Sequence, residues 1–111
     1  GAVRVFPRLA DGDVAPLRTI SGAATGLSLP AMGYLDLVHD ELVVGNFDNG
    51  HDGSITVYPR TANGNLAPVR RIAGAATGLK WVIHVAVDPL AGEIFVACQG
   101  GDAWRPACAS S

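Results

Sequence analysis

The chain states one passage twice. Val5-Phe6-Pro7-Arg8, Ala15-Pro16-Leu17-Arg18-Thr19-Ile20 and Gly22-Ala23-Ala24-Thr25-Gly26-Leu27 return as Val57-Tyr58-Pro59-Arg60, Ala67-Pro68-Val69-Arg70-Arg71-Ile72 and Gly74-Ala75-Ala76-Thr77-Gly78-Leu79. The offset is a constant 52 positions, from Pro7 to Pro59 and from Gly26 to Gly78. It persists at lower identity through Asp36, Glu41 and Val44, which align with Asp88, Glu93 and Val96. A period of this size belongs to arrays in which each unit covers its neighbour, because no unit buries its own faces. Architecture is thereby constrained far more than chemistry.

Each unit reads as four short strands divided by turn signals. The first is Val3-Arg4-Val5-Phe6, with copy Ile55-Thr56-Val57-Tyr58, rich in β-branched and aromatic residues that suit a pleated surface. The loops Ala10-Asp11-Gly12-Asp13 and Ala62-Asn63-Gly64-Asn65 carry Asp-Gly and Asn-Gly, dipeptides that tolerate positive φ. The return strands are Leu17-Arg18-Thr19-Ile20 and Val69-Arg70-Arg71-Ile72. Pro16 and Pro68 stand at their starts, where a missing N–H is tolerated, which marks an edge or outer position. After a crossing segment of small residues come strands at 32–36 and 41–45, repeated at 84–88 and 93–97. No run keeps helical spacing over three turns. The expectation is an all-β chain of four-stranded antiparallel units, two repeats per chain. The repeats are bounded at residues 1–52 and 53–101, with an aberrant tail at 102–111.

Composition excludes some partners. Of 111 residues, 49% are hydrophobic and 16% charged, so the chain is no disordered tail. A net charge of −2 gives no electrostatic reason to expect nucleic acid or an anionic membrane. The apolar run at 81–87 is interrupted by His84 and is far too short to span a bilayer. The two cysteines, Cys98 and Cys108, supply no disulfide framework. A bridge between them would tie the tail to the last strand and contribute about 2–3 kcal/mol. One lysine, low charge and closely spaced cysteines suit a secreted or periplasmic protein.

The unit with Val-Tyr-Pro-Arg, Ala-Asn-Gly-Asn, Ala-Pro-x-Arg-x-Ile-x-Gly, x-Val-Asp and Glu-x-Val resembles the repeat of NHL-type and lactonase-like β-propellers. The resemblance covers all but the tail and is structural in kind, so it speaks to fold before function. It maps Val85-Ala86-Val87-Asp88, and more loosely Gly33-Tyr34-Leu35-Asp36, onto the innermost strand of a blade. The Pro usual before that strand is present as Pro30 but replaced by Val82. It also implies that the chain opens on the third strand of a blade and stops after the second. One contiguous blade at 32–73 is then flanked by half-blades at 3–21 and 82–98. Such halves are expected to complete each other, either across copies of the chain, three chains making six blades, or within a longer propeller chain. Four strands of roughly 18 Å at about 4.8 Å spacing make a face of roughly 350 Å². Leaving two such half-apolar faces open forgoes about 9 kcal/mol, comparable to the stability of a small domain.

Candidate chemistry gathers in two places. Asn46-Phe47-Asp48-Asn49-Gly50-His51-Asp52-Gly53-Ser54 offers oxygen ligands at alternating positions with glycines between, as Ca²⁺ requires. Asp48, Asn49, His51 and Asp52 are therefore the metal candidates, although the run lacks the bidentate Glu of the twelve-residue loop and reads first as a polar turn. The resemblance makes the inner strands line a central channel, so His84, its counterpart Met32 and the neighbouring Trp81 are the ligand or channel candidates. Asp36, Asp88, Glu41 and Glu93 recur with the repeat, which marks them as turn-stabilising and not as a catalytic pair. Arg8, Arg18, Arg60 and Arg70 recur likewise and read as bridges between adjacent blades. No nucleophile elbow, P-loop, dinucleotide fingerprint or zinc constellation is present, and no catalytic residue is assigned. The expected function is a non-enzymatic binding or scaffold module for a protein segment, glycan or small ligand. No cofactor is expected, Ca²⁺ being the one candidate. The alternative is a fragment of a gluconolactonase-type hydrolase with a metal in its channel.

Overall fold

Eight strands recur with the period of the sequence. In the computed structural model, which describes residues 1–49 and 52–98, they are β1 (Ala2–Val5), β2 (Arg18–Ser21), β3 (Pro30–Asp36), β4 (Glu41–Asn46), β5 (Ser54–Pro59), β6 (Arg70–Ile72), β7 (Val82–Asp88) and β8 (Glu93–Cys98). The helical content among the described residues is two single 3-10 turns, Ala23–Thr25 and Ala75–Thr77, again 52 positions apart. The chain is all-β, in small antiparallel sheets, none closed into a barrel. β1–β2 and β7–β8 are two-stranded, and β3-β4-β5-β6 form a central four-stranded sheet. That sheet straddles the junction between the two sequence repeats.

The hairpin turns show how the repeat writes local structure. Asp36 ends β3, and its Oδ1 accepts from the backbone N–H groups of Val38 and His39, each at 3.0 Å. Asp88 ends β7 and does the same for Leu90 and Ala91 at 3.1 Å. A short carboxylate that satisfies the backbone two and three residues on is a turn device. The last turn position needs positive φ, supplied by Asp40 (61°) in one hairpin and Gly92 (71°) in the other. Both hairpins also share a register irregularity near their open ends, between Pro30 and Met32 and between Val82 and His84.

Side chains alternate across the central sheet and build a core on each face. Val43, Ile55 and Val57 face the last sheet and pack with Val82 and Val85, joined by Met32, Tyr34, Leu79, Val87, Ile94 and Val96. Val44 and Tyr58 face the first sheet and pack with Ile20 and Ala62, joined by Val3, Leu27, Leu42 and Leu66. The five residues from Ser54 to Tyr58 are all buried, as a strand covered on both faces must be. The β5–β6 loop also reaches the first sheet. Asn63 Oδ1 accepts from Thr19 N at 3.0 Å, Gly64 N donates to Thr19 O at 2.7 Å, and Asn65 Oδ1 accepts from Ala24 N at 2.8 Å.

Candidate functional site

Two clefts lie at opposite ends of the seam between the central and last sheets. The first, of about 440 Å³, sits beside the β4–β5 connection and is lined by Asp48, Asp52, Arg71, Lys80 and the small residues of the second 3-10 turn. The connection is pinned before it reaches the cleft. Phe47 N donates to Leu29 O and Asp48 N to Ser28 O, both at 3.0 Å, and the Ser28 hydroxyl donates to Asp48 Oδ1 at 2.8 Å. Asn49 holds Asp52 twice, accepting from its N–H at 2.7 Å and donating to its carboxylate at 3.0 Å. Gly53 N then reaches across the seam to Leu79 O at 3.0 Å.

This arrangement can bind polar groups of either sign. Two carboxylates, each already accepting one hydrogen bond, share the cleft with two cations. Ca²⁺ takes six to eight oxygens; the expected ligands Asp48 and Asp52 meet at this cleft, Asn49 is tied to Asp52, and His51 lies outside the described residues. Arg71 and Lys80 are the cleft residues that sequence reasoning missed. Their signal is absent from local patterning, because the seam between two sheets brings them to the β4–β5 connection.

The three channel candidates lie apart. Met32 packs into the seam between the central and last sheets. Its counterpart His84 is exposed on β7, and among the described residues no further sheet follows β7–β8. The Trp81 ring stands 5.3 Å from Phe47 at an interplanar angle of 57°. Trp81 and its repeat counterpart Leu29 both hold positive φ, 55° and 46°. Because the strain recurs, it belongs to the way each inner strand begins and not to a single site. Cys98 is not a free thiol, and Cys108 lies outside the described residues.

The second cleft, of about 420 Å³, is lined by Asp36, His39, Glu41, Arg70 and Glu93 among others. Arg70 grips Glu41 with both terminal nitrogens, at 2.9 and 2.6 Å. The expectation of bridges between adjacent blades is therefore corrected here: this pair joins β6 to β4 within one sheet. Arg60 likewise pairs with Asp40 at the hairpin turn of its own sheet. His39 Nδ1 lies 2.8 Å from Asp36 Oδ2 on the same turn. Burial raises the Asp36 carboxyl, but hydrogen bonds from His39, its positive field and the Val38 N–H outweigh that and hold it below its ordinary range.

The Arg70 guanidinium holds the Glu41 carboxyl below its ordinary 4.5, and Glu41 in turn raises Arg70. A carboxyl depressed in the folded state contributes stability above the unfolded value and loses it as pH falls through the folded one. Glu41→Gln is therefore expected to be less stable than the parent at neutral pH, by no more than about 1 kcal/mol for so exposed a pair. The difference should close on acidification below pH 4.5. Urea unfolding of both proteins at a series of pH values checks this.

The chain matches no protein-family model, no curated protein and no solved structure.

Proposed function

We propose that the chain is a segment of a β-propeller and serves as a non-enzymatic binding or scaffold module. The observation that carries the second half is the fate of the recurring acids. Asp36 and Asp88 perform one and the same turn-capping task, and Glu41 is held by Arg70. Three of the four recurring acids are thus engaged in the fold of their own sheets, which supports a structural and not a catalytic reading. The propeller reading is supported by the antiparallel four-stranded sheet, by two-stranded sheets packed face to face on either side of it, and by the 52-residue recurrence of every strand.

The binding surface in this reading is the mixed-charge cleft around Asp48, Asp52, Arg71 and Lys80. It fits a peptide segment or glycan, whose donors and acceptors alternate, better than an apolar ligand. Export to an oxidising compartment, with a Cys98–Cys108 bridge, belongs to the same reading. Elemental analysis of protein purified without chelators tests the function. The expected result is no stoichiometric divalent metal and an unfolding curve indifferent to added chelator. A stoichiometric metal lost on Asp48→Ala or Asp52→Ala would replace the binding module with the metal-dependent hydrolase.

A further inference from the structure

We propose that β8 of one copy pairs antiparallel with β1 of a second copy, in the register that β4 and β5 keep within one chain. The inference deepens the propeller reading and rests on it. It starts from positions that are equivalent in sequence but unequal in burial. Tyr58 is 0% exposed and its counterpart Phe6 46%; Ile20 is 2% and Ile72 38%; Val43 is 2% and Phe95 57%. In each pair the buried member has a neighbouring strand or sheet that the exposed member lacks. Among the described residues β8 pairs with β7 alone and β1 with β2 alone. β8 is thus a β4 without its β5, and β1 a β5 without its β4. Unpaired strand edges of this kind invite a further strand, and here each chain carries both halves of the match.

The central sheet supplies the register. Val43 stands opposite Val57 and Glu41 opposite Pro59, so Phe95 should stand opposite Val5 of the second copy and Glu93 opposite its Pro7. The ion pair should follow. Arg70 on β6 grips Glu41 on β4, and their counterparts are Arg18 on β2 and Glu93 on β8. Within one chain Arg18 Nε is buried without a hydrogen-bond partner, and Glu93 makes no ion pair among the described residues. Trans pairing places the guanidinium of one copy beside the carboxylate of the other.

The loops agree. Asn63, Gly64 and Asn65 dock on β2 and the first 3-10 turn. Their counterparts Asp11, Gly12 and Asp13 are exposed, yet keep an acceptor oxygen at both outer positions and positive φ at the glycine (80° against 92°). The surface they would meet in a second copy is β6 and the second 3-10 turn, with Arg71 N and Ala76 N in place of Thr19 N and Ala24 N. Space is available there, along the wall of the first cleft that Arg71 and Gly74 form: a Cβ on Gly22 would lie 2.4 Å from the Asn65 side chain, whereas one on Gly74 meets nothing within 4 Å. Ladder, ion pair, aromatic side chain and loop all point to the same head-to-tail contact, which is heterologous and closes into a ring or grows as a filament.

The test combines solution mass with cross-linking in trans. Full-length protein is expected as a particle of fixed mass, a whole multiple of 11.4 kDa. Mixing Val5→Cys with Phe95→Cys protein should give a covalent dimer that peptide mapping assigns to positions 5 and 95. Val3→Cys with Phe95→Cys, offset by two residues and so by roughly 7 Å, should not. Independently, Arg18→Glu or Glu93→Arg should each weaken association about tenfold or more, and the double variant should recover it. A monomer at every concentration tried would overturn trans pairing and leave the propeller reading to a longer chain. Links between two 5 or two 95 positions would overturn it in favour of a symmetric contact. A 5–95 link in particles of unlimited growth would keep the pairing and overturn the propeller.

Discussion

Tyr58→Ala is expected to cost about 3–5 kcal/mol of folding stability, a large share of the 5–15 kcal/mol typical of a whole domain. Tyr58 lies in the seam between the first and central sheets, packed with Ile20, Val44 and Ala62. Its hydroxyl donates to the Thr25 carbonyl at 2.5 Å, and burial pushes the phenol above its ordinary range, so it stays a donor. Truncation opens a ring-sized cavity and orphans a carbonyl, two costs that add. Tyr58→Phe removes only the second and should cost about 1 kcal/mol. Chemical denaturation checks both: the midpoint should fall while the slope stays that of the parent. A midpoint change for Tyr58→Ala no larger than for Tyr58→Phe would show that the seam does not contribute to folding.

The repeat provides an internal control for that result. Phe6 occupies the same position one unit earlier, yet is half-exposed. Phe6→Ala should therefore lower the folding stability of a separated chain far less than Tyr58→Ala. Its larger effect should fall on association, where the ring meets the surface around Ile72 of a second copy.

Strand content was legible because it is a local property. The same alternation of β-branched and turn residues occurs twice, and every strand of one unit returns 52 positions later in the other. The roles of Asp36 and Asp88 were legible for the same reason: a carboxylate two and three residues ahead of the N–H groups it satisfies is written within five residues of chain. Partners distant in sequence were not. The Arg70 side chain reaches Glu41 over the intervening β5, so its partner depends on strand order and not on spacing. Arg71 and Lys80 join Asp48 and Asp52 only because two sheets pack face to face. Met32 and His84 share a sequence position but differ in burial, since one lies in a seam and the other on an outer face. A repeat predicts equivalence of local structure; the environment depends on which neighbours each unit has.

Asn46→Leu tests a fully buried polar group that the repeat does not share. Asn46 is fully buried at the end of β4, where its Oδ1 accepts from Ser28 N at 3.1 Å and its Nδ2 donates to Thr56 Oγ1 at 3.0 Å. The amide thus joins the β4–β5 ladder to the segment that leads into β3, and it holds the floor of the connection bearing Asp48 and Asp52. Leucine takes this partner from the part-buried Ser28 N–H and from the buried Thr56 hydroxyl, at about 1–3 kcal/mol for each group, so a total loss of about 2–6 kcal/mol is expected. Removing the second partner as well separates hydrogen bonding from packing. Asn46→Leu with Thr56→Val should recover part of the loss, because replacing both members by apolar groups of similar size is nearly neutral. The Ser28 N–H remains orphaned in either protein and sets the limit of recovery. Strict additivity of the two changes in a double-mutant cycle would show that the Asn46–Thr56 bond contributes nothing, and that Asn46 acts through Ser28 alone.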